Sequence, residues 1–403
     1  MSDQKSQYRW YMAGIATFVI PMGIQTILFP YLVAVELQQG PERLGIAQMS
    51  TQLPGLLLIL LGGLLADRVD RRAILIWMHV VASLPGLMLA LAIWNGMLSY
   101  GLLIVYALVM GTVGAFVQPA RDGMLNQIAG GQLQRTVTVT MGLTFGAQII
   151  GFVAASFTDH LGAPPLLVLH SLIMFLGVFA ALKLDPATSV TSRAGTSGLS
   201  QILEGISLVL QSDKMRPAWL LVVAMSFFYG GSFMVLNPLV VRDVYGGSAA
   251  EISLAFGCFM IGTIVATVIL VSIGGVKRQG QALMLALTLG GSTWAIVAIG
   301  VPFWGYLALI LCWGMGGGVS MSMSRTIMQE SAPEAARARV LSLFSLGNLG
   351  AMPMGALLLG FLAGQVGPLN TIVIAVGGVW VAVAIVGLTT RFAAVGSEDL
   401  AAA

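Results

Sequence analysis

The chain has 403 residues, of which 57% are hydrophobic and only 9% charged, with a net charge of +3 and a mean hydropathy of +0.92. Soluble domains carry about 25% charged residues, so this composition argues against a soluble globular protein, whose surface it could not cover. The basic residues are scattered among short loops, which argues against a nucleic-acid-binding face.

Apolar runs of about 20 residues recur along the whole chain, each long enough to cross roughly 30 Å of hydrocarbon as a helix. Lipid offers the backbone no hydrogen-bond partners, so spanning structures are helices or closed barrels. The strict polar–apolar alternation of a barrel is missing. Breaks at charged or Gly/Pro-rich positions divide the chain into twelve segments, about 10–36, 44–66, 73–95, 98–120, 135–158, 163–184, 217–241, 249–273, 281–300, 303–327, 339–364 and 368–390. The expected fold class is all-α integral membrane, with twelve transmembrane helices.

Met1–Tyr8 is short and polar, and the first run reads as a retained helix rather than a signal peptide. The sizeable interruption from Leu184 to Arg216 separates an N-terminal six-helix bundle (1–184) and a linker (185–216) from a C-terminal six-helix bundle (217–403). In the linker Leu199, Ile202, Ile206, Val209 and Leu210 keep helical spacing, which predicts a short amphipathic helix on the membrane surface.

With the N-terminus inside and sides alternating, Lys5, Arg9, Arg68, Arg71, Arg72, Arg121, Arg135, Lys183, Arg193, Lys214, Arg216, Lys277, Arg278, Arg325, Arg337, Arg339 and Arg391 fall inside. Only Arg43 and Arg242, of the 19 basic residues, fall outside. That bias predicts both termini in the cytoplasm. Cys258 and Cys312 lie in apolar runs and read as small hydrophobes. No disulfide framework, metal-ligand spacing or cofactor motif is present, so no metal and no cofactor are expected.

The most informative stretch is Gly63-Leu64-Leu65-Ala66-Asp67-Arg68-Val69-Asp70-Arg71-Arg72, a short charged hinge joining segments 2 and 3. Six plus six segments with such a hinge resemble the major facilitator superfamily. The superfamily signature Gly-x-Leu-Ala-Asp-Arg-x-Gly-Arg-Arg/Lys-x-x-Leu is met by Gly63, Leu65, Ala66, Asp67, Arg68, Arg71, Arg72 and Leu75, with Asp70 in place of the usual Gly. Gln118-Pro119-Ala120-Arg121-Asp122 after segment 4 is similar to an element of the branch holding the enterobactin exporter and macrolide efflux proteins. So are Pro333-Glu334 and Arg337-Ala338-Arg339-Val340 after segment 10, with Ala338 where that branch usually has Gly.

The resemblance implies two pseudo-symmetric bundles and a gating role for Gly63, Asp67, Arg68, Arg71, Arg72 and Asp122. In it, Asp67 acts as a latch toward the start of segment 11, and Arg71 reaches Asp122. The matching loop of the second half, Gly274 to Gln281, keeps glycines and basic charge but has no Asp, so the latch is expected on one side only.

No Asp, Glu, Lys or Arg lies near the middle of any segment. Ionisable groups at depth mark proton relays or charged-substrate sites, so their absence argues against a carrier of sugar phosphates, carboxylates or peptides that uses a buried ion pair. Transporter sites sit near the midplane between repeats, and the resemblance implies a lining from segments 1, 4, 7 and 10, helped by 2, 5, 8 and 11. Substrate-binding candidates are Gln25, Gln52, Thr112, Gln148, Tyr229, Asn237, Trp313 and Asn348; each can instead tie helices together, for about 1 kcal/mol. Tyr229 and Asn237 stand out because Gly230, Gly231 and Pro238 interrupt segment 7. Gly314, Gly316, Gly317 and Gly318 with Met321 and Met323 read either as an adaptable wall in segment 10 or as close packing. His79 and His170 lie in segments 3 and 6, peripheral in the superfamily; as proton carriers they compete with Asp67, Glu36 and Asp243.

Without a phosphate loop the chain is not expected to hydrolyse ATP or to be an enzyme. Three functions are open. The first is a secondary active, proton-coupled exporter of small amphipathic or hydrophobic molecules such as drugs, macrolides or siderophores, working by alternating access. The second is a lipid or lysophospholipid flippase of the same fold, and the third a non-transporting membrane receptor. The expected partners are a small-molecule substrate, protons and the lipid bilayer, with the chain a monomer in a bacterial inner membrane.

Overall fold

The computed structural model describes residues 2–129, 133–186 and 198–396. Arg193, one of the basic residues placed inside by the charge count, lies outside them. Among the described residues every regular element is helical. The first half comprises α1 (Ser2–Tyr31, continued by a π-helical turn Leu32–Glu36), α2 (Pro41–Arg68), α3 (Arg71–Trp94), α4 (Tyr100–Ile128), α5 (Leu133–Ala155), the short α6 (Thr158–Leu161) and α7 (Ala163–Leu182). The linker holds α8 (Gly198–Gln211). The second half comprises α9 (Met215–Ala224), two π-helical turns (Met225–Gly230 and Ser232–Leu236), α10 (Asn237–Asp243), α11 (Ala249–Ser272), α12 (Gln279–Val297), α13 (Phe303–Ser331), α14 (Arg337–Val366) and α15 (Pro368–Thr389).

Among the described residues eleven helices are long and apolar enough to span a membrane. A twelfth span results if the two arms of α2, Pro41–Ile59 and Leu61–Arg68, bent by 52°, count as one. The fold is the all-α membrane architecture expected from the apolar runs.

The sequence fixes where these helices start. Asp70 caps α3, its side chain accepting from the Arg72 amide at 3.0 Å, and Ser99 caps α4. Such oxygens satisfy amides that have no partner within the helix. Gly162 and Gly367 hold the same place in the two halves, directly before segments 6 and 12. Both have positive φ (78° and 83°) and are followed by a proline in the first turn, Pro164 and Pro368. Glycine supplies the turn and proline tolerates the first helical positions, so the repeat is visible in its punctuation.

The helices gather into two compact units. The first comprises Met1–Gln39, Ala47–Ala194 and Gly247–Leu254; the second comprises Gly40–Ile46, Gly195–Gly246 and Ala255–Ala403. In the first unit α1 runs along α5 and α7, and α3 along α4 and α7. His79 and His170 are buried there. His79 Nδ1 lies 2.8 Å from the Leu75 carbonyl and His170 Nε2 lies 3.4 Å from the Tyr106 hydroxyl.

In the second unit α12 packs along α13 and α15, and α14 along the π-helical turns, α8 and α9. At Gly231 and Gly355 segment 7 and α14 meet backbone to backbone: a Cβ on Gly355 would fall 1.7 Å from the Phe227 carbonyl oxygen. The amphipathic helix expected in the linker is present as α8, but it leans on protein. Val209 is fully buried, and Glu204 forms an ion pair with Arg339 in the first turn of α14.

Candidate functional site

Two places gather several of the residues singled out in the sequence: the charged hinge of the first unit and a cavity in the second. At the hinge, the arginines donate to backbone carbonyls of three helices. Arg71 donates from Nε to the Ala66 carbonyl (3.1 Å) and from Nη1 to the Gly123 carbonyl (3.2 Å), and its Nη2 lies 3.7 Å from Asp67 Oδ1. Arg72 donates to the Leu182 carbonyl at 2.6 Å. Ala66 and Leu182 lie in the last turns of α2 and α7, where carbonyls lack helical partners and the negative dipole end suits a cation. The expected reach of Arg71 toward Asp122 ends one residue on, at the Gly123 carbonyl; Asp122 instead accepts from Gln118 Nε2 at 3.0 Å. Gly63 has open space where a Cβ would stand, whereas at Gly62 a Cβ would fall 2.2 Å from the Ala115 carbonyl oxygen. Asp67 and Arg68 are exposed. In the second hinge the equivalent tie uses no arginine: Gln279 donates to Glu330 at 3.3 Å.

The second unit holds an open cavity of about 350 Å³. Segment 7 contributes Ser226, Tyr229 and Phe233, α11 contributes Phe259 and Thr263, and α12 contributes Leu287. From α13 come Trp313, Ser320 and Met321, and from α14 Asn348 and Met352. None of the residues lining it is Asp, Glu, Lys, Arg or His. Aromatic rings build the wall: Phe233 and Phe259 have centroids 4.4 Å apart, Phe259 and Trp313 5.2 Å, and Trp313 stacks on Trp294 at 4.5 Å. These separations are those of favourable ring pairs.

Few polar atoms break this surface. Ser226 Oγ donates to Asn348 Oδ1 at 2.8 Å, and the Asn348 amide nitrogen lies 3.9 Å from the Met321 sulfur. Tyr229 donates its hydroxyl to the Leu287 carbonyl at 3.1 Å, tying segment 7 to α12. The two π-helical turns widen the backbone where Tyr229 and Phe233 enter; such turns are frequent at functional sites.

Tyr229, Trp313 and Asn348, named from sequence, are thus brought together in one cavity. Asn237 is not among its lining: fully buried, it accepts a hydrogen bond from the Tyr306 hydroxyl and joins helices. Gln25, Gln52 and Gln148 belong to the first unit. Gln25 is largely buried in α1, and the Gln148 carbonyl on α5 lies against Gly23. Thr112 donates to the Leu108 carbonyl at 2.8 Å, one turn back.

Sequence reasoning missed Ser226, Phe233, Phe259 and Ser320. A signal existed. Ser226, Tyr229, Gly230 and Phe233 repeat at three, four and seven residues, as do Trp313, Gly316, Gly317 and Ser320. Each set therefore forms one stripe of a helix.

Residues 12–356 match the family model described as Major Facilitator Superfamily. The staphyloferrin A transporter of Staphylococcus aureus (strain NCTC 8325 / PS 47) is 23% identical over 341 residues, covering 81% of this chain and 82% of the relative. The enterobactin exporter EntS of Escherichia coli O127:H6 (strain E2348/69 / EPEC) is 26% identical over 331 residues, covering 77% and 74%. Among solved structures, the nucleoside transporter NupG superposes with a TM-score of 0.72 at 14% identity, over 96% of this chain and 99% of that one. A proton dependent oligopeptide transporter gives 0.69 at 10% identity, over 97% of each. At such identities these structural likenesses speak for the fold alone.

Proposed function

Because this chain belongs to the Major Facilitator Superfamily, we propose that it is a proton-coupled exporter of small amphipathic or hydrophobic molecules that works by alternating access. The observation that carries this reading is the cavity of the second unit, whose lining is aromatic, rich in methionine and without an acidic or basic side chain. Such a wall gains from apolar cargo and offers no counter-charge to an ion. Among the relatives, the enterobactin exporter favours an outward direction.

In this account the chain acts as a monomer in the cell membrane with both termini in the cytoplasm, and carries out no covalent chemistry. Gly63, Asp67, Arg68, Arg71, Arg72 and Asp122 form the gate, with Asp67 its latch, and Gln25, Gln52 and Gln148 add polar contacts to the cargo path.

Transport of an uncharged fluorescent dye into inverted membrane vesicles tests the reading. Accumulation that requires an acidified vesicle interior, and that falls at least about tenfold in Asp67→Asn with the protein still present in the membrane, is the expected result. Dye movement independent of the gradient contradicts proton coupling. Gradient-independent transfer of a fluorescent lipid, without dye transport, would instead make the chain a flippase.

A further inference from the structure

Hydroxyl groups on membrane helices ordinarily donate to the carbonyl one turn back. Thr263 does so to Phe259 (3.1 Å), Ser324 to Met321 (3.1 Å) and Thr326 to Ser322 (2.9 Å). Ser320 does not. It lines the cavity of the second unit, is 1% exposed, and its Oγ has no hydrogen-bond partner among the described residues. A buried hydroxyl left in that state is costly, and a bound group that supplies a partner recovers the cost.

Asn348, half-buried, also has spare donor capacity. Its Oδ1 is engaged by Ser226 at 2.8 Å, which turns the amide nitrogen toward the Met321 sulfur, 3.9 Å away and a weak acceptor. The cavity therefore holds two under-used donors in a wall of Phe233, Phe259 and Trp313. The rings meet at 36° and 74°, presenting both faces and edges, a setting that suits a flat ring. With no acidic or basic side chain in the lining, a charged group there would meet no counter-charge.

We infer that this cavity recognises an uncharged aromatic molecule carrying a hydrogen-bond acceptor, such as a carbonyl, which Ser320 and Asn348 hold by donation. The inference names the substrate class of the site proposed above and rests on that reading.

Competition binding on the purified full-length protein, with tritiated 1-acetylnaphthalene as the probe, tests it. The competitors are 1-ethylnaphthalene, which keeps the ring and loses the acceptor, and (1-naphthylmethyl)trimethylammonium, which adds a charge. The wild-type protein should prefer the acetyl over the ethyl compound by about tenfold. Ser320→Ala and Asn348→Leu should each reduce that preference about threefold while ethylnaphthalene affinity holds, and Ser320→Thr should keep the preference.

Equal affinity for the two neutral probes, tighter binding of the cation, or equal loss of both neutral probes in the variants overturns the inference. Binding is read without a gradient. A protein that shows this selectivity but does not transport therefore refutes the exporter reading alone, and one that transports without the selectivity refutes this inference alone.

Discussion

Asp70 sits where the chain turns from α2 into α3, and its carboxylate accepts from the Arg72 amide. The family pattern has glycine at this position, and the substitution that looks like a flaw in the motif is a helix cap in the fold. Caps of this type contribute about 1 kcal/mol, and replacement by glycine costs only a few tenths. Asp70→Ala should therefore lower the unfolding free energy of the purified protein by about 1 kcal/mol, whereas Asp70→Gly should be nearly neutral. Thermal unfolding monitored by tryptophan fluorescence distinguishes the two. The same scale separates the two asparagines of the sequence reading. Both are amides in apolar runs, and the interruption of segment 7 puts Asn237 ahead in the sequence; in the structure Asn237 accepts from the Tyr306 hydroxyl outside the cavity, whereas Asn348 faces it.

At the scale of elements, segment 7 was legible as interrupted because Gly230, Gly231 and Pro238 stand inside an apolar run. That the interruption takes the form of two successive π-helical turns was not. The turns lie where a neighbour distant in sequence comes closest: Gly231 and Gly355 let segment 7 and α14 touch along their backbones. Small residues at such crossings permit the close approach that drives helix association in lipid. Gly355→Ala places a methyl group against the Phe227 carbonyl, where neither helix can yield without moving. It should cost about 1–3 kcal/mol in stability and, by shifting the turns that carry Tyr229 and Phe233, impair transport of the dye. Unfolding and vesicle uptake measured on the same preparation check both effects. Long apolar helices were readable from their length and spacing. Which face of each meets the cavity was hidden, because in lipid the outward face is as apolar as the inward one; only the polar stripe residues break that degeneracy.

At the scale of the whole molecule, repetition tells most. Gly162 with Pro164 and Gly367 with Pro368 punctuate the two halves alike. Yet the hinge of the first half is tied by Arg71 and Arg72, and that of the second by neutral Gln279. The asymmetry extends to the interior, where the aromatic, uncharged cavity is built from residues of the second unit. The central claim is that cargo rests in this cavity during transport. Photolysis of 1-azidonaphthalene during uptake by wild-type vesicles, followed by mass-spectrometric mapping of the adducts, tests it most directly. Adducts concentrated in residues 225–234 and 313–321 are the predicted result. Adducts confined to helices of the first unit, around Gln25, Gln52 and Gln148, would contradict it.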